Sequence, residues 1–155
     1  QPFSDALKLL SKEFFYPMKS NFYFYLIAPM LMFILILSLW LIYPFFSNSL
    51  NMKFNLMFFL SLLSMGVYGL MMSGWSSNNS FSMIGSLRSI AQSISYEVIL
   101  SISLLTILMT INNINLNYLP MYQKYLYILV LFMPLMMMLF ISILAEINRT
   151  PFDLS

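Results

Sequence analysis

The stretch "FYFYLIAPMLMFILILSLWLIYPFF", residues 22–46, contains no Asp, Glu, Lys or Arg. A helix needs about 20 mostly apolar residues to cross about 30 Å of hydrocarbon, and this stretch meets that length. Its two prolines sit at its margins, Pro29 near the beginning and Pro44 near the end. Tyr and Phe crowd its start (Phe22, Tyr23, Phe24, Tyr25), as in an aromatic belt at a membrane–water interface. Residues 22–46 therefore read as a transmembrane helix.

The rest of the chain repeats the pattern. Further apolar stretches run over residues 54–75, 82–111 and 125–148, giving four spans. Backbone groups in lipid must be hydrogen-bonded within their own segment, so each span is expected to be α-helical. The chain is 61% hydrophobic and only 8% charged, against roughly 25% charged residues in soluble domains. The fold class is an all-α polytopic membrane protein. A net charge of +2, from dispersed cations, gives no basis for nucleic-acid binding. Histidine and cysteine are both absent, which removes the usual ligands of haem, iron–sulfur clusters and most zinc sites.

Residues 1–19 differ. Helical spacing puts Ser4, Asp5, Lys8, Ser11 and Lys12 on one face and Leu7, Leu9, Leu10 and Phe14 on the other. This is an amphipathic interfacial helix, too short and polar to span, with Pro17 as its stop. With four spans, Lys8, Lys12, Lys19, Arg88 and Arg149 share one side, leaving Lys53 and Lys124 on the other. The basic excess marks the first side as cytoplasm-like, or matrix-like in a mitochondrion. The first residue is Gln1 rather than Met, and no signal peptide precedes the first span, so the chain reads as an internal piece of something longer.

Charges inside the apolar segments carry the functional signal. Glu97 lies near the middle of the third span, where a charge costs at least ~2.5–3.5 kcal/mol. Spacing of four aligns Ser89, Ser93, Glu97 and Ser101, while Arg88, Gln92 and Ser95 lie on roughly the opposite face. Two polar seams are incompatible with a lipid-bathed helix, so this one is expected among protein or beside a hydrated cavity. Glu97 is then a proton-relay carboxyl, or else a neutral group plugged by a hydroxyl.

At the other end of the chain, Glu146 and Arg149 are spaced to pair on one helix face, which Ser142 extends one turn deeper. An acid at a helix C-terminus opposes the dipole, so Glu146 has no capping purpose. The alternative is headgroup anchoring. Gly69 and Ser73 form a small-xxx-small pair suited to close helix packing. Asn78–Asn79 and "NNINLN" read as turn chemistry, with no site implied.

Two runs, "SLRSIAQSISYEV" (86–98) and "AEINRTPFDLS" (145–155), resemble motifs of the NADH–ubiquinone oxidoreductase chain 1 family, a membrane subunit of mitochondrial respiratory complex I. "QPFSDALKLLSKE" and "GWSSNNSFSMIGSLR" are also similar to that family, so the resemblance covers essentially the whole chain. The Met- and Phe-rich composition is similar to insect mitochondrial versions.

The resemblance implies part of a ubiquinone tunnel and of a buried carboxylate relay. It assigns the relay to Glu97 and Glu146, supporting charges to Arg88, Arg149 and Asp153, and the tunnel's vicinity to Asp5 and Lys8. It implies ubiquinone as the substrate of the complex, with flavin and iron–sulfur clusters in partner subunits and no haem or metal here. Other complex I subunits and membrane lipid are the implied partners. The implied location is the mitochondrial inner membrane, with the N-terminal helix and C-terminus on the matrix side. Residues 149–155 would open an acidic matrix-side loop, with one span expected before this chain and three after it. Such a piece is expected to be inactive alone. A membrane subunit of a related energy-converting hydrogenase, an independent channel or transporter, and a purely structural anchor are the other readings. The absence of an inverted repeat disfavours the commonest transporter plan.

Overall fold

A computed structural model describes residues 2–13, 16–44, 52–124, 126–148 and 150–153. Among these residues every regular element is helical: α1 (Pro2–Ser11), α2 (Phe22–Leu39), α3 (Asn55–Ser76), α4 (Ser80–Ile111), α5 (Leu119–Tyr122), α6 (Ile128–Leu131) and α7 (Met133–Glu146). Short 3-10 turns follow α2 (Trp40–Ile42) and precede α5 (Leu116–Tyr118). Phe14, Arg149 and the last residues of the first expected span lie outside the described residues.

Among the described residues, three helices are long and apolar enough to cross a membrane: Phe22–Ile42, Asn55–Ser76 and Ser80–Ile111. The expected fourth span takes a different form. It is divided into the four-residue α6 and the fourteen-residue α7. Proline explains the break. Pro134 lacks the N–H that would bond one turn back, and its ring crowds the carbonyl of Val130. The chain therefore bends at Phe132 (φ −114°, ψ 60°) and restarts with Pro134 in the first turn of α7. At the end of α2, Tyr43 is extended (ψ 129°), as the residue before a proline prefers.

α4 is the central helix. It packs against α3 on one side and α7 on another, while α2 packs against α3. α4 buries Ser89, Ser93, Leu100, Ser103, Ile107, Leu108 and Ile111, whereas α2 buries only Ala28. Leu56, Ile107, Leu108, Ile111, Ile128 and Leu139 form an apolar core at one end of the bundle. At the other end, the Asn21 amide donates to the Ser76 carbonyl at 2.8 Å, and Asn78 Nδ2 donates to the Lys19 carbonyl at 2.9 Å. These bonds pin the start of α2 to the turn between α3 and α4.

Glycines set the helix spacing. A Cβ on Gly69 would overlap the Met32 side chain of α2, and one on Gly74 would overlap Ser86 of α4. Gly69 is buried as close packing requires, but Ser73 is exposed, and Gly74 makes the second close approach. Every described residue of α1 is exposed, including Phe3 (87%) and Leu10 (83%). α1 also ends at Ser11, well before Pro17. Asn78 and Asn112 take positive φ (48° and 56°), and Asn79 caps α4 by accepting from the Phe81 amide, so these asparagines are turn and cap residues as their chemistry suggests.

A carboxylate pair between α3, α4 and α7

Glu97 is half-buried on α4 and hydrogen-bonded to the Ser64 hydroxyl of α3. Ser64 also lies 2.9 Å from the carbonyl of Leu60, one turn back on its own helix. A hydroxyl has one proton and two acceptor lone pairs, so it cannot donate fully to both neighbours. When Glu97 is ionised, Ser64 donates to the carboxylate. When Glu97 is protonated, its own O–H donates to Ser64, whose proton turns to Leu60. The hydroxyl is thus a rotor with a satisfied arrangement for each charge state.

Ser89 and Ser93 continue the same seam and are buried (3% and 8% exposed), as the sequence pattern requires for a polar stripe facing protein. Their hydroxyls donate to Ser86 and Ile90 carbonyls at 2.9 Å, which satisfies their donors within the helix. Ser101, at the far end, is half-buried.

Glu146 ends α7, half-buried where that helix packs on α4. Glu97 lies close enough for its charge to be felt at Glu146. Ser142, one turn deeper, is 1% exposed and Ala145 is 0%, so this face of α7 is the one applied to the bundle. The two acids expected to work together are thereby brought into one electrostatic neighbourhood from positions far apart in sequence.

The supporting charges are dispersed. Arg88 and Asp153 are exposed, and Asp5 and Lys8 lie on the exposed α1. The expected partner of Glu146, Arg149, lies outside the described residues. The second seam of α4 is bound at Gln92, whose Nε2 donates to the Phe152 carbonyl at 3.3 Å. Tyr96, one turn on, packs edge-on against the Phe152 ring with centroids 5.3 Å apart. Gln92 and Tyr96 therefore fold residues 150–153 back onto α4. Among the described residues, no group of three or more His, Cys, Asp or Glu side chains is placed to hold a metal ion.

Ser64 and Tyr96 escaped the sequence reading. Ser64 is one of several hydroxyls in an apolar helix, and nothing local marks it. Tyr96 adjoins Glu97, but its contact is made by residues that follow another helix.

A family model described as NADH dehydrogenase matches residues 1–155. The chain is 45% identical over 153 residues to NADH-ubiquinone oxidoreductase chain 1 of Aedes aegypti, covering 99% of this chain and 49% of the relative. Identity to the protein of that name from Papio hamadryas is 47% over 154 residues, covering 99% and 48%. For Locusta migratoria it is 42% over 153 residues, covering 99% and 49%. The chain spans about half the length of the curated relatives it matches. With the family model matched from residue 1 to residue 155, the chain belongs to the NADH dehydrogenase family.

Proposed function

We propose that this chain is part of a membrane subunit of a proton-translocating NADH–ubiquinone oxidoreductase of the mitochondrial inner membrane. In that reading it contributes helices beside the ubiquinone path and two carboxyls, Glu97 and Glu146, to a relay that couples quinone reduction to proton movement. The observation that carries the reading is that the α4–α7 packing brings Glu97 and Glu146 into one electrostatic neighbourhood, with Ser64 able to satisfy Glu97 in either charge state. The family membership and the name of its relatives supply the enzyme complex.

The chemistry is electrostatic. The balance between a carboxyl's charged and neutral forms is set by burial, nearby charges and hydrogen bonds. A change of charge nearby shifts that balance, so a proton gained or lost at one member of a coupled pair changes the affinity of the other. Glu97 and Glu146 would act as such a pair, with Ser64 hydrogen-bonded to Glu97. Asp5 and Lys8 would flank the tunnel, and Arg88, Arg149 and Asp153 would set the field around the relay. Quinone-site subunits and neighbouring membrane subunits are the partners, and the N-terminal helix and residues 149–155 face the matrix. Electron transfer and quinone reduction belong to the assembled complex, so this chain alone is expected to be inactive.

Glu97→Gln in the full-length chain of the assembled complex tests the reading. It keeps the side chain's size and a hydrogen-bonding partner for Ser64 but cannot release a proton. The expected result is impaired proton translocation coupled to NADH oxidation, with assembly intact. Normal proton translocation at a normal quinone-reduction rate would remove Glu97 from the mechanism.

A further inference from the structure

Glu146 stands where a helix ordinarily comes loose. It is the last residue of α7, and the last carbonyls of any α-helix have no partner within it. Helix ends open at low free energy, and a carboxylate at a C-terminus opposes the helix dipole. Fraying of the last turn would carry the Glu146 carboxyl away from α4. A contact outside the helix has to hold this end down.

The segment after α7 returns to α4. Asn148 takes positive φ (52°), the conformation that closes a helix and reverses the chain, and its N–H donates to the Ala145 carbonyl at 3.2 Å. At Phe152 the chain meets α4 twice. Gln92 Nε2 donates to the Phe152 carbonyl at 3.3 Å, and the Tyr96 ring meets the Phe152 ring edge-on at 5.3 Å. Gln92 and Tyr96 are one turn apart on α4 and share a face; both are half-buried, as is Phe152. Glu97 follows Tyr96 directly, about 100° round the helix. The segment that begins at Glu146 is thus anchored at Phe152 on the face of α4 next to the one that carries Glu97.

We propose that Gln92 and Tyr96 are positioning residues: they clamp Phe152, and through it the end of α7, so that the Glu146 carboxyl stays on α4 near Glu97. The consequence for proton movement rests on the relay reading given above. With the clamp closed, the two carboxyls keep their separation whichever of them is charged. With it open, Glu146 leaves α4 together with the last turn of α7.

Hydrogen–deuterium exchange on the assembled complex containing the full-length chain tests the clamp. Gln92→Met keeps the length of the side chain and removes its donor. The Ile147 and Asn148 amides donate to Ile143 and Ala145 at the end of α7, so their exchange reports its opening. In Gln92→Met they should exchange roughly tenfold faster, the factor that corresponds to about 1.4 kcal/mol. Tyr96→Leu should act in the same way, whereas Tyr96→Phe keeps the ring and should exchange at the native rate. Unchanged exchange at Ile147 and Asn148 overturns the proposal, even if exchange rises at Phe152 and Asp153, since the contact would then be a local tie. Should Gln92→Met not assemble, Tyr96→Leu against Tyr96→Phe decides, and equal exchange in the two overturns the clamp. Proton translocation per NADH oxidised should fall several-fold in Gln92→Met and Tyr96→Leu and return in Tyr96→Phe. Unchanged translocation despite fast exchange overturns the positioning role where Glu97→Gln is impaired. Where Glu97→Gln is normal as well, the relay reading falls and the clamp stands.

Discussion

Ser64 is the residue whose replacement separates a relay from a structural plug. Hydrogen bonds to charged groups contribute about 1.5–3 kcal/mol, and Ser64→Ala removes the donor that the Glu97 carboxylate has from α3. A proton-transfer step limited by the ionised form should slow roughly tenfold for the loss of about 1.4 kcal/mol. Ser64→Thr keeps the hydroxyl and should restore the rate. The measurement is proton translocation per NADH oxidised in the assembled complex. A plug would behave otherwise: the Ala variant would lower thermal stability while leaving translocation unchanged. At this scale the acids were legible from sequence, because a carboxyl in an apolar helix is conspicuous. Their neighbours were not. Ser64, the Gln92 bond to Phe152 and the buried Asn55–Asn115 amide pair arise from helix packing, which no local spacing encodes.

Among the helices, the two close approaches at glycine should respond unequally to the same change. At Gly69 a new Cβ meets the Met32 sulfur and its neighbouring methylene, parts of a long side chain with several rotatable bonds. Gly69→Ala should therefore cost little, because Met32 can move aside. At Gly74 the obstacle is Ser86 Cβ and Oγ, held against the backbone of α4. No rotation about χ1 moves a Cβ, so α3 and α4 must separate. Overpacking of this kind costs about 1–3 kcal/mol, so Gly74→Ala should lower the melting temperature of the assembled complex more than Gly69→Ala. Equal effects would mean that the α3–α4 contact yields as readily as the α2–α3 contact. Hydropathy was enough to point to long apolar helices, since length and apolar content define a span, and three such helices stand among the described residues. The same reasoning missed the break between α6 and α7, although Pro134 was visible, because the apolar run continues through it unbroken.

For the molecule as a whole, the hydrogen bonds define two ends, and the lysines report which end is which. Lys19 lies at the end where its carbonyl accepts from Asn78, while Lys53 lies beside Asn112–Asn115 at the opposite end of α4. Lys8, Lys12, Lys19, Lys53 and Lys124 are all exposed, so native side chains suffice and no substitution is needed. A membrane-impermeant amine reagent applied to sealed mitoplasts should modify Lys53 and Lys124, and applied to inverted inner-membrane vesicles it should modify Lys8, Lys12 and Lys19. Peptide mass spectrometry reads the sites directly. The prediction joins two independent arguments, the excess of basic residues on the matrix side and the α3–α4 reversal that sets Lys19 and Lys53 apart. Reaction of Lys19 and Lys53 from the same side would break the second argument and, with it, the assignment of α3 and α4 as consecutive crossings. Reaction from opposite sides but in the reverse sense would leave the fold intact and invert its orientation, placing Lys53 on the matrix side and residues 150–153 facing the intermembrane space.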